Sequence, residues 1–87
     1  MAVVVLSHPV KDFKSWKTFY DADTDRRAGA GFKEIFVGQD SNDPNMAYMV
    51  FETDNPGVIE QMLSDPNLAE VMKESGVTGA PNVVIIK

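Results

Sequence analysis

The strands at the two ends of the chain constrain its fold more than any other feature. AVVVLS (Ala2 to Ser7) and NVVII (Asn82 to Ile86) both read as β-strands, yet neither alternates apolar with polar residues. Successive side chains of a strand point to opposite faces, so a strand with one face in water alternates. Here both parities are apolar: Val3 and Val5 against Val4 and Leu6, and Val83 and Ile85 against Val84 and Ile86. MAYMVFET (Met46 to Thr53) repeats the pattern, with Tyr48 and Val50 set against Met49 and Phe51. FKEIFVGQ (Phe32 to Gln39) shows it least, because Lys33 and Glu34 occupy opposite parities. A sheet built from these strands needs cover on both faces.

The segments between the strands supply cover for one face. Pro9 cannot continue a central ladder, so the first strand is expected to end near Ser7. Asp12 is suited to cap a helix that starts at Phe13 and carries Phe13, Trp16, Phe19 and Tyr20 on one stripe. The glycines of AGAG (28–31) end it. DSNDPN (40–45) is dense in turn formers and joins two strands into a hairpin. DNPGVIEQML (54–63) opens a second helix, with Asp54 or Asn55 as cap and Pro56 in the first turn. Ser64 or Asp65 recaps a further stretch bearing Leu68, Val71 and Met72, and Gly76 stops it.

The resulting order, β-α-β-β-α-β, predicts one ferredoxin-like α+β domain over residues 1–87: a four-stranded antiparallel sheet with two helices on one face. The other face is left as a broad apolar surface, which monomers seldom expose. A homodimer stacked through the helix-free sheet face covers it. At about 25 cal/mol per Å², a few hundred Å² of apolar area per chain adds many kcal/mol. The alternative is that strand propensity alone sets these residues and part of the sheet is wet.

Bulk properties narrow the function. A chain of 87 residues buries only about 60–65% of its unfolded surface, so added burial matters. There is no cysteine to form a disulfide, bind metal or attack a substrate. A net charge of -5 disfavours nucleic acid and anionic membranes as partners. No apolar run approaches the roughly 20 residues of a bilayer span. The first apolar run is short and lacks a basic segment before it, so a soluble, cytoplasmic protein is expected. Asp21, Asp23 and Asp25 point in different directions on a helix. Asp40, Asn42 and Asp43 lack the glycine and terminal glutamate of a calcium loop. No phosphate-binding loop, nucleophile elbow or zinc signature is present, and no metal or cofactor is expected.

Chemistry then rests on a few residues. His8, the only histidine, ends the first strand where a cleft can form, and can serve as a general base or simply bond a loop carbonyl. The stripe of Phe13, Trp16 and Tyr20 continues at helical spacing to Asp23 and Arg27. Those two are four residues apart and can pair. Either the helix end is solvated, or Asp23, Arg27 and His8 supply the polar groups of an otherwise apolar pocket walled by Trp16 and Tyr20. Tyr48 and Glu52 share one strand parity and are further candidate pocket residues, Glu52 facing either that pocket or solvent.

HPVKDFKSWKTFYDAD (8–23), Arg27 with the glycines after it, SNDPN (41–45), VFETD (50–54), SDPNLAEVMKESGV (64–77) and GAPNV (79–83) resemble the dimeric α+β barrel superfamily. That superfamily includes antibiotic-biosynthesis-type monooxygenases, stress-responsive α/β barrel proteins and muconolactone-isomerase-like proteins. The closer likeness is to a small bacterial group labelled cyclase-like or monooxygenase-like. The resemblance spans nearly the whole chain. It implies a homodimeric α+β barrel with a ligand held between the helices and the sheet of each protomer. It implies, as activity, a cofactor-independent monooxygenase or an isomerase/cyclase acting on a small hydrophobic or aromatic carbonyl compound. If the protein is catalytic, His8 would be base, Asp23 its orienter or a second acid/base, and Arg27 an anion or oxyanion partner. A non-catalytic ligand-binding or assembly module is the alternative, since one fold hosts many functions.

Overall fold

The computed structural model describes residues 1–87. In chain order the elements are β1 (Ala2–Pro9), α1 (Phe13–Ala22), α2 (Thr24–Gly29), β2 (Lys33–Gln39), β3 (Met46–Thr53), α3 (Val58–Leu63), α4 (Pro66–Glu74) and β4 (Asn82–Ile86). The strands form one antiparallel sheet of order β2-β3-β1-β4. This is the expected ferredoxin-like topology, with the second helix recapped before Pro66 as expected, but the first helix is also broken into two segments, at Asp23. The expected α+β barrel is also corrected. The sheet is open, with β2 and β4 as free edges rather than neighbours. Four strands, each turned by about 20–25° from the last, make a twisted layer whose edges do not meet.

β1 runs two residues further than expected, through His8 and Pro9, which lie opposite Ala47 and Met46 of β3. Proline is tolerated there because β4 stops pairing at Ser7, so no ladder partner is owed its missing N–H. The Pro9 carbonyl instead accepts from Thr78 N at 3.0 Å. This extension carries His8 to the helix side of the sheet, beyond the reach of β4.

Local signals set the helix ends. Asp12 is extended, and its carboxylate accepts from Ser15 N at 2.9 Å, capping α1 as expected. Asp65 caps α4 through Asn67 N, with Pro66 in its first turn. α3 differs from expectation. It starts after Gly57 with no side-chain cap, while Asn55 lends its carbonyl to Val58 N. Gly31 and Gly76 take the left-handed conformation, φ 84° and 92°, that ends a helix.

Val4, Leu6, Ala47, Met49 and Phe51 of the sheet pack under Trp16, Tyr20, Phe32 and Ile59 to form the core. The opposite sheet face carries Val3, Val5, Tyr48 and Val50, with Phe36, Val84 and Ile86 exposed by 59%, 45% and 52%. A β-bulge lies between Glu34 and Phe36. It makes Ile35 an extra residue, so Glu34 pairs with Phe51 on the helix side and Phe36 with Val50 on the bare side.

Candidate functional site

A half-open cavity of about 80 Å³ lies between the helices and the sheet. Its volume is near half the roughly 150 Å³ that holds benzene in an engineered apolar cavity. Leu6, Met49 and Phe51 form the sheet side, and Met62, Leu68 and Met72 the α3–α4 side. Beside the tips of Trp16 and Tyr20, polar groups come from His8, Asp23, Arg26, Arg27 and Ser75. Ser75 Oγ is spent on the Met72 carbonyl at 2.8 Å, closing the end of α4.

An aromatic ladder runs along one wall. The His8 ring meets Trp16 edge-on, centroids 5.4 Å apart, and Trp16 lies 4.9 Å from Tyr20. Trp16 and Tyr20 are four apart on α1, which stacks them on one face of the helix. Arg27 continues the ladder, its guanidinium carbon 3.5 Å from the Tyr20 ring centroid. The Tyr20 hydroxyl donates to Glu34 Oε1 at 2.7 Å. Burial, reinforced by that bond, pushes the phenol well above its ordinary range, so Tyr20 stays a donor.

His8 is 3% exposed, and its Nδ1 is enclosed without a hydrogen-bond partner. Burial lowers its pKa below the usual value, outweighing a backbone hydrogen bond, so the imidazole is neutral near pH 7.

The structure brings His8, Trp16, Tyr20, Asp23 and Arg27 to this one cavity. The expected Asp23–Arg27 pair does not form. The chain leaves the helix at Asp23, between α1 and α2, and Asp23 instead accepts from Arg26 Nε at 3.1 Å. Asp65 adds a second carboxylate 3.7 Å from Arg26. Tyr48 and Glu52 are not brought to the cavity. They belong to the parity of β3 that faces away from the helices, where Glu52 stands opposite Lys33. Glu34 and Arg26 were not singled out from the sequence. The bulge hides Glu34 by breaking the period-two pattern, and only the helix break gives Arg26 the carboxylate expected for its neighbour. No group of three or more His, Asp or Glu side chains is placed to hold a metal ion.

The family model for a domain of unknown function, DUF3764, matches residues 2–80. The chain belongs to the DUF3764 family. No curated protein sequence matches this DUF3764 chain. Among solved structures it is similar to a conserved protein from Methanosarcina mazei Go1, with 15% identity, TM-score 0.68, and 100% of this chain and 92% of that one covered. It is also similar to an antibiotic biosynthesis monooxygenase, with 11% identity, TM-score 0.63 and coverage of 100% and 97%. A dimeric ferredoxin-like protein from an uncultured marine organism gives 14% identity, TM-score 0.65 and coverage of 100% and 93%. These likenesses show that the DUF3764 domain has the ferredoxin-like fold shared by antibiotic-biosynthesis-monooxygenase-like proteins. They do not single out the cyclase-like group.

Proposed function

We propose that this protein binds a small apolar or aromatic carbonyl compound between its helices and sheet, and that His8 removes a proton from the carbon beside the carbonyl. The observation that carries the reading is a neutral, buried imidazole whose Nδ1 has no hydrogen-bond partner, on the wall of a largely apolar cavity. A base held neutral at physiological pH is ready to accept a proton. The low dielectric around it strengthens a hydrogen bond from any donor placed there. Returning the proton to a different atom of the resulting enolate gives an isomerase; attack of the enolate carbon on a second carbonyl of the same molecule, whose oxygen takes the proton, gives a cyclase. The likeness to an antibiotic biosynthesis monooxygenase favours a second outcome. An electron-rich enolate reduces O₂ itself, one oxygen entering the methylene carbon as a carbonyl and the other leaving as water.

The test uses benzyl methyl ketone in D₂O, followed by proton NMR. The protein is expected to accelerate exchange of the benzylic hydrogens, and His8→Gln to abolish the acceleration while circular dichroism stays unchanged. Binding of the ketone with exchange no faster than in buffer overturns the enzymatic reading and leaves a ligand-binding module.

The same reading includes a homodimer through the helix-free face. Its support is the exposure of Phe36, Val84 and Ile86 on one side of an open sheet, together with the dimeric ferredoxin-like relative. Sedimentation equilibrium at micromolar concentration is expected to give twice the mass of the 9.6 kDa chain.

A further inference from the structure

Arg27 is the one charged group on the cavity wall without an ionic partner. Lys17 is engaged by Asp21 at 2.7 Å, and Arg26 by Asp23 and Asp65. Arg27 makes only a 3.3 Å hydrogen bond from Nη2 to Thr24 Oγ1 and rests its flat face on the Tyr20 ring. The lack of a carboxylate beside it is not for want of supply, since 13 acidic residues face 8 Lys and Arg in this chain. Glu34 lies on the same side of the sheet, but it accepts from the Tyr20 hydroxyl.

A guanidinium stacked on an aromatic ring has its orientation fixed and its N–H edge left free. That edge matches a carboxylate, which takes two parallel hydrogen bonds. The Tyr20 ring also shields one side of the cation from water, so an anion placed there is held more strongly than at an open surface. At the other end of the aromatic ladder stands the neutral His8, which offers no charge to balance. The cavity thus has an apolar body and, at one end, a cation with no carboxylate paired to it.

We infer that the carbonyl ligand also carries a carboxylate, which is held by Arg27, with its short apolar or aromatic body on the Trp16–Tyr20 wall. This deepens the proposed function and rests on the cavity being a ligand site. The cavity, about 80 Å³, is too small to enclose a whole ring, so the body lies partly in its open side.

Matched probes separate the inference from the reading beneath it. Phenylacetate and its neutral isostere phenylacetamide are titrated into the full chain. Binding is read by the fluorescence of Trp16, the only tryptophan, and by calorimetry. Phenylacetate is expected to bind about tenfold more tightly than the amide at low salt. In Arg27→Gln the gap is expected to close to about twofold, with amide binding unchanged. Equal binding of the two probes to the wild-type chain overturns this inference alone, as does a preference that survives Arg27→Gln. If neither probe binds, the ligand-site reading falls and this inference with it. The wild-type comparison decides the matter even where Arg27→Gln folds poorly.

Discussion

The guanidinium of Arg27 stacks on the ring of Tyr20, 3.5 Å from its centroid, while Asp23, one helical turn away, is held by Arg26. The Tyr20 ring is fixed from a second direction by the hydrogen bond from its hydroxyl to Glu34. This links α1, α2 and β2 at the cavity wall. Tyr20→Phe keeps the ring and removes only the bond, so it is expected to destabilise the fold by about 1–2 kcal/mol in urea titrations. Glu34→Gln, which still accepts, is expected to lose less. A Tyr20→Phe variant as stable as the wild type would show that the bond contributes nothing.

His8 predicts a pH dependence of stability with a definite sign. Burial lowers its folded pKa below the ordinary value of 6.5, so between the two values the unfolded chain binds more protons. Stability therefore rises with pH through that window. The contribution is whole above the unfolded value and is lost as pH falls toward the folded one. Asp12, also lowered but from 3.8 by its bonds to Ser15, acts in a separate, more acidic window and with the same sign. Chemical denaturation at a series of pH values is expected to show both steps, and His8→Gln to remove only the upper one.

Gly38 tests the helix-free face. A Cβ there would lie 2.7 Å from Cε2 of the Phe36 ring, so Gly38→Ala forces that exposed ring aside. The fold tolerates this, because the displaced atoms are the free end of a mobile side chain. The proposed dimer does not. Gly38→Ala is expected to weaken association in sedimentation equilibrium, and Phe36→Asp to yield monomer.

Gly79 faces a stiffer neighbour. A Cβ there would sit 2.8 Å from Cγ of Pro9, whose ring is held within β1. Gly79→Ala is expected to cost about 1–3 kcal/mol by overpacking, read as a shift in the urea midpoint. An unchanged midpoint would show that the loop before β4 yields freely.

Much of this arrangement is legible in the residues themselves. The double apolar parity of β1, β3 and β4, the Asp12 and Asp65 caps and the glycines that end the helices all act locally, so the element order follows from them. The helix stripe likewise leads to Trp16, Tyr20 and Arg27 on one wall. What escapes is whatever depends on breaks in regularity. A single continuous helix predicts an Asp23–Arg27 pair, and the break at Asp23 substitutes Arg26. A regular β2 keeps Glu34 and Phe36 on one side, and the bulge separates them. Tyr48 and Glu52 were drawn toward the pocket by chemistry alone, although their parity is that of Val50 on the bare face. Barrel closure came from resemblance rather than from any residue, and the open edges at β2 and β4 correct it.

The bulge at Ile35 has a consequence for how the chain behaves when crowded. β2 is an outermost strand rich in apolar residues, and such an edge can recruit stray chains into fibres. The extra residue spoils the even spacing of outward N–H and C=O groups that a recruit needs. Deleting Ile35 would leave Glu34 and Phe36 on their present sides and straighten the strand, trading a blunted rim for an aggregation-competent one.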